Sequence, residues 1–222
     1  MKNFKAIIFG SIGTVLETSD IQRKSFNKAF KKFGLNWYWS KNEYKKLLEK
    51  SGGENRLSNY AKIKNIRINT LKLRNLKTKF FNNYLKRNEL KPRAGVINVI
   101  KFCKKNNIKL GFASSTSINN INSIFFALKN TIRKKDFDFI GNNKLALRKK
   151  PYPDIYKITL KKLNLKSEDC LAIEDTEESM KSALNAKIRC VAFPGKLHEH
   201  KKFKGSYKII KRLSKKNIFS NL

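Results

Sequence analysis

Short apolar runs recur along the chain with helical stretches between them, and this alternation limits the fold more than any other feature. The runs are KAIIFG (5–10), IKLGFAS (108–114), FDFIG (137–141), CLAIED (170–175) and RCVAFPG (189–195). Most are continuously apolar and end in turn residues, which is how strands buried on both faces of a parallel sheet read. GVINVIKFCKKNN (95–107), PDIYKITLKKLNL (153–165) and EESMKSALNAK (177–187) instead carry apolar residues at helical spacing with lysines opposite. Strand and helix in turn predict an α/β fold with a Rossmann-like open parallel sheet.

One region breaks the rhythm. Residues 18–91 contain helical patterns (IQRKSFNKAFKKFG, SKNEYKKLLEKSGG, INTLKLRNLKTKFFNNYLKR) and no strand signal. The region follows the first strand directly, so it emerges at that strand's carboxyl end, where open α/β sheets bind ligands. This predicts a core of 1–16 and 92–222 with a helical cap of 17–91 inserted after the first strand. LKPRAG (90–95) has the Pro and Gly of a returning hinge.

Composition excludes some classes and leaves others open. With 40% hydrophobic residues in 222, a real core is affordable. No apolar run approaches the roughly 18 residues of a membrane span, and MKNFKAIIFGS has too short an apolar part for a secretory signal. A cytoplasmic or organelle-interior monomer is the expectation. Cys103, Cys170 and Cys190 are far apart and form no metal-ligand spacing, so they read as reduced, buried thiols. The charge is extreme, 51 Lys+Arg against 16 Asp+Glu for a formal +35. Two readings of it stand: compositional drift, since Lys, Asn and Ile are all abundant, or nucleic-acid binding. Either way the field attracts anions.

Four stretches at strand ends could carry chemistry: FGSIGT (9–14), ASSTS (113–117), KPYPDIY (150–156) and IEDTEES (173–179). Each also has a plain structural explanation. Gly13-Thr14 makes a turn, Ser114 caps a strand or helix, the prolines open a helix, and Glu174-Asp175 favours a helix N-terminus.

In this order and spacing the four stretches resemble the motifs of the haloacid-dehalogenase-like (HAD-like) phosphohydrolase superfamily, in its β-phosphoglucomutase-like branch. The resemblance spans essentially the whole chain. It implies a strand order of 5-4-1-2-3. It also implies an Asp-x-Asp-Gly-Thr first motif, in which one aspartate attacks phosphorus and binds Mg²⁺ and the other is the acid/base. By the same resemblance, Ser114 donates to the phosphoryl group, Lys150 neutralises charge, and Glu174 and Asp175 hold Mg²⁺. Within the cap, NWYWSKNEYKKLLEKSGGENR is similar to the Calvin-cycle sugar-bisphosphate phosphatases, so that Gly52, Gly53 and Arg56 would meet a sugar phosphate.

Aligned on Phe9 and Gly13-Thr14, the nucleophile position is Gly10 and the acid/base position is Ile12. Neither can do the chemistry, so the phospho-aspartyl route is closed. What is left is a phosphate cradle of Ser114, Lys150, Gly13, Thr14 and the N–H groups of residues 11–14, with Mg²⁺ weakened by the lost carboxylate. Glu174 and Asp175 then have two possible jobs, holding a metal or pairing with Lys150. Three functions follow: an impaired sugar-phosphate phosphatase relative that still binds a phosphorylated small molecule, a hydrolase using metal-bound water, and a basic nucleic-acid-binding protein. Glu17 is an expected acid near the hinge and not a replacement nucleophile. Ser11 and Thr14 have no adjacent base. His198-Glu199-His200 reads as solvated surface, and Trp37 and Trp39 as cap packing.

Overall fold

The computed structural model describes residues 4–48 and 52–219. The chain divides into two compact units, Met1–Glu17 with Glu89–Leu222, and Thr18–Asn88.

The first unit opens with β1 (Ala6–Phe9) and a single helical turn, α1 (Ile12–Val15). The second unit is helical among its described residues: α2 (Ser19–Lys32), α3 (Lys41–Leu47), α4 (Gly53–Ile63) and α5 (Thr70–Arg87). The first unit then resumes with α6 (Val96–Lys105), β2 (Lys109–Ala113), α7 (Ile118–Ala127), β3 (Phe139–Gly141), α8 (Asp154–Leu163), β4 (Cys170–Glu174), α9 (Glu177–Asn185), β5 (Arg189–Ala192), β6 (Lys208–Ile209) and α10 (Lys215–Phe219). The sheet runs β3-β2-β1-β4-β5-β6 and every pairing is parallel. This is the expected order with one short strand added at the β5 edge. That strand, Lys208–Ile209, is two exposed residues in a lysine-rich tail and has no apolar run to announce it.

The register positions the site. Phe9 lies opposite both Phe112 of β2 and Ile173 of β4. Residues 10–14 and 114–116, and Asp175 just after Glu174 at the end of β4, therefore come together at one edge of the sheet. That edge lies at the carboxyl ends of β1 and β4, where the strand order reverses and α/β folds leave a crevice. β1 and β4 are buried at every residue, as continuous apolar runs require. Beneath one face, Ile8, Ala172, Met180 and Ala183 pack with Ile155 and Tyr156 of α8. Phe9, Phe112, Phe125 and Phe137 form an edge-to-face cluster in the same unit. Gly95 has φ +85°, a left-handed conformation, and a Cβ there would run into the Leu213 carbonyl. Only glycine meets both demands, which explains the hinge glycine.

In the cap unit, helix starts are set by local chemistry. Ser40 and Glu43 close a capping box on α3, and Asn69 accepts from the Lys72 N–H to cap α5. The sequence pattern runs unbroken from 40 to 53, but α3 ends at Leu47 and a new helix, α4, starts at Gly53. Gly52 separates them at φ +89°. Residues 49–51, the end of the LLEKS stretch, lie outside the described residues.

Candidate active site

β1 runs out at Phe9, and the Gly10 N–H still bonds across to the Ile173 carbonyl at 3.0 Å. The chain then turns through α1. Thr14 is wholly buried, and its hydroxyl donates to the Ser11 carbonyl at 2.6 Å. Its side chain closes its own turn and is not offered outward. Ile12 is partly exposed and brings no titratable group.

The space a nucleophile would need is taken. A Cβ at Gly10 would collide with the Glu174 carboxylate and the Tyr156 hydroxyl. Both side chains are completely buried. The Tyr156 hydroxyl donates to Glu174 Oε1 at 2.7 Å. Lys150 Nζ donates to the same oxygen and to the Gly10 carbonyl, and its ammonium sits 5.0 Å from the Tyr156 ring centre. The pairing of Glu174 with Lys150 is made through Oε1, and Oε2 is buried with no hydrogen-bond partner among the described residues. Burial raises the Glu174 carboxyl; Lys150 opposes this, and neighbouring Asp175 adds to it. Burial, with Glu174 beside it, pushes the Tyr156 phenol well above its ordinary range. Tyr156 escaped sequence reading. Its only signal was its place in KPYPDIY, one turn into the helix that follows the lysine.

Asp175 faces the other side of the turn. It accepts from the Ser11 hydroxyl at 2.5 Å, and a Cβ at Gly13 would strike its Oδ2. Glycine at 13 is thus a matter of space. Arg93 is a second residue that sequence reading passed over, although it lies in the quoted hinge. Its guanidinium donates to the carbonyls of Gly13 (2.7 Å), Phe193 (2.8 Å) and Pro194 (2.5 Å) and stacks 3.4 Å from the Phe193 ring centre. It fastens the first turn to the end of β5. Glu17 accepts from the Lys196 N–H at 2.8 Å, again an anchoring contact. His200 and Glu199 are exposed, as a solvated reading requires, but His198 is half-buried. Burial lowers the His198 imidazole, while Asp175 and Glu17 pull it up.

At the end of β2, Ser114 is buried at 3% exposure and accepts from the Thr116 N–H at 3.2 Å, which leaves its own O–H to donate. Ser115 Oγ and Asn120 Oδ1 are buried with no hydrogen-bond partner among the described residues. Buried polar atoms are rarely left so, and an unpaired hydroxyl beside Ser114 fits a second donor to a ligand. The ASSTS stretch placed this pair, but nothing in it distinguished Ser115.

The cap candidates are held differently. Arg56 is buried, its Nε donates to the Leu47 carbonyl at 2.8 Å, and its guanidinium lies 5.6 Å from the Tyr44 ring centre. Gly52 and Gly53 sit at the start of the same helix. Trp39 is wholly buried and Trp37 nearly so, packed with Phe26, Phe30, Tyr44 and Tyr60. Lys77, which the sequence did not single out, is buried between Phe26 and Phe81 and donates to Gln22 Oε1 at 2.5 Å. Burial, together with Arg56 and Arg74, pulls its amine down to about 7.

Mg²⁺ is commonly held by one or two carboxylates together with water and a substrate phosphate, and the site keeps part of such a set. Gly10 brings no carboxylate, Glu174 Oε1 is spent on Lys150 and Tyr156, and Asp175 Oδ1 is spent on Ser11, but Glu174 Oε2 is buried with no hydrogen-bond partner among the described residues, an acceptor that a cation would satisfy. Among the described residues no three His, Cys, Asp or Glu side chains gather as a ligand set.

The parallel sheet of this order, with Ser114, Glu174 and Asp175 at the carboxyl ends of its strands, Lys150 in the loop after β3 and a helical unit inserted after β1, is an α/β architecture of the hydrolase type. The chain belongs to the haloacid dehalogenase-like hydrolase family, whose family model matches residues 7–193. It is 30% identical over 209 residues to Protein CbbY of Cereibacter sphaeroides, covering 93% of this chain and 91% of that protein. It is 31% identical over 193 residues to Protein CbbY of Rhodobacter capsulatus, covering 86% and 85%. Among solved structures, CbbY from Rhodobacter sphaeroides in complex with phosphate superposes with a TM-score of 0.85 at 28% identity, covering 96% of each chain. A mutant of that protein in complex with xylulose-(1,5)bisphosphate gives 0.83 at 28% identity over 94% of each. No helix among the described residues is long and apolar enough to cross a membrane.

Proposed function

We propose that this chain binds a phosphorylated small molecule, a sugar phosphate, and does not hydrolyse it by the phospho-aspartyl route. One observation carries the reading: the place of the nucleophile is filled by the Glu174 carboxylate and the Tyr156 hydroxyl, and Gly10 contributes only backbone. Ile12 supplies no proton donor at the neighbouring position. Covalent catalysis needs a nucleophile with a base or acid to serve it, and both are gone. One oxygen of each remaining carboxylate is engaged, Glu174 Oε1 with Lys150 and Tyr156 and Asp175 Oδ1 with Ser11, and the carboxylate that the first motif would add is missing.

Binding survives this loss. Ser114 keeps an O–H to donate, Ser115 holds an unpaired buried hydroxyl, and the missing first-motif carboxylates no longer repel an anion. The formal +35 charge favours any anionic ligand's approach. The relative whose structure holds xylulose-(1,5)bisphosphate makes a ketose bisphosphate the first ligand to try.

The test is calorimetric titration with a ketose bisphosphate and with inorganic phosphate, run beside a phosphate-release assay in Mg²⁺. The expected result is saturable binding, weakened about tenfold in Ser114→Ala by loss of one charge-assisted hydrogen bond, with release no faster than the protein-free blank. Release that disappears in Asp175→Asn would overturn the reading.

A further inference from the structure

The cap unit carries a cavity of about 450 Å³ between α2 and α5, built entirely from residues of that unit. Its two walls differ in chemistry. On α2, Lys24 and Lys28 lie one turn apart and line the space, with the Asp20 carboxylate beside them. On α5, Phe80 and Tyr84 lie one turn apart and line it with rings, followed by Arg87. Lys24 is paired with Asp20 at 3.2 Å. Lys28 and Arg87 have no carboxylate partner among the described residues; the Lys28 ammonium rests 5.0 Å from the Phe80 ring centre. Tyr84 is 43% exposed, an open π face beside unneutralised charge. Asn83, exposed on the same turn, brings an amide to the lining.

Each wall asks for something different from a ligand. Two unpaired cations favour a phosphate. An exposed tyrosine ring favours a flat aromatic group, since every nucleobase has a π face to stack. An exposed amide can pair with a base edge, donating and accepting. The volume falls in the range of a small-molecule pocket and suits one nucleotide unit better than the length of a strand. A sugar phosphate would use the cations and leave the ring wall without a stacking partner.

We propose that this cap cavity is a second ligand site, distinct from the one at the strand ends, and that it takes a nucleoside monophosphate with the base on Tyr84 and the phosphate at Lys28 and Arg87.

The test uses the full chain and AMP, with ribose 5-phosphate and adenosine as the two half-ligands, titrated at low and moderate salt. Tyr84, Lys28 and Arg87 are surface residues, so Tyr84→Ala and the double variant Lys28→Gln/Arg87→Gln should fold. Lys129→Gln/Lys204→Gln removes the same charge from the other unit and serves as the control. Expected is AMP binding that falls about tenfold in Tyr84→Ala, the scale of one lost stacking contact. It should fall at least as far in Lys28→Gln/Arg87→Gln and hold steady in the control and in Ser114→Ala. Each half-ligand should bind more weakly than AMP. Absence of AMP binding at millimolar concentration overturns the proposal. So does an equal loss in the control, which assigns binding to the general field. Loss in Ser114→Ala with none in Tyr84→Ala moves AMP to the strand-end site and also overturns it. That site's own reading is judged by the bisphosphate titration, so the two succeed or fail separately.

Discussion

Putting the nucleophile back is the sharpest test of how this site is built. Gly10 has no positive φ, so its backbone does not require glycine; only the space does. Gly10→Ala adds a Cβ where the Glu174 carboxylate and the Tyr156 hydroxyl now lie. These are the ends of flexible chains, but both side chains are completely buried and hydrogen-bonded to each other, so either must shift within the core to make room. Overpacking of this kind costs about 2 kcal/mol. Gly10→Asp adds a second carboxylate beside Glu174. To admit it, Tyr156 or Lys150 must release Glu174, which leaves a buried acceptor short of a partner at roughly 2 kcal/mol more. The expected order of stability is wild type, then Gly10→Ala lower by about 2 kcal/mol, then Gly10→Asp lower by about 4 kcal/mol. Urea denaturation followed by circular dichroism reads it directly. Tyr156→Phe in the Gly10→Ala background removes one of the two collisions and should recover part of the loss. Gly10→Asp should release no phosphate from a ketose bisphosphate, because Ile12 still supplies no acid. A Gly10→Asp protein as stable as wild type would refute the account of a filled nucleophile position. Phosphate release from that single variant would refute the claim that two groups are missing.

Two further outcomes follow from buried charge. Lys150→Met strands the Glu174 carboxylate in the core and should cost about 3–5 kcal/mol, with Lys150→Met/Glu174→Gln regaining much of it; because the folded Glu174 carboxyl is raised, the single variant's deficit should deepen as pH climbs above the ordinary carboxylate range, and a flat profile would argue against it. Lys77 has a folded value near 7 against 10.5 for a free lysine, so below about 7 the burial penalty is felt in full and it fades as pH rises toward 10.5. Lys77→Met should therefore stabilise the protein most at neutral pH, and its advantage over wild type should shrink by up to about 1.4 kcal/mol per pH unit between 7.5 and 10; an advantage that does not change with pH would mean that Lys77 stays charged in the folded state.

Much of this protein was legible in the chain. Continuous apolar runs ended by turns marked the buried strands, because a strand covered on both faces tolerates little else. By its resemblance to the family's first motif, the run FGSIGT put Gly10 and Ile12 at the two aspartate positions, and neither side chain can attack phosphorus or move a proton. Other features needed contacts that no local pattern records. The two exposed residues of β6 pair with β5 only because that edge is there to receive them. The Gly10–Lys150–Glu174–Tyr156 group joins residues far apart in sequence. So does the Arg93 clamp on Gly13, Phe193 and Pro194. Sequence alone left Glu174 free to hold a metal or to pair with Lys150. The pairing with Lys150 depends on parallel register, which sets Phe9 beside Phe112 and Ile173 and brings the carboxyl ends of three strands to one edge. There a buried carboxylate must find a cation and a donor within reach or lose its charge, and Lys150 and Tyr156 were the groups the fold had put within reach.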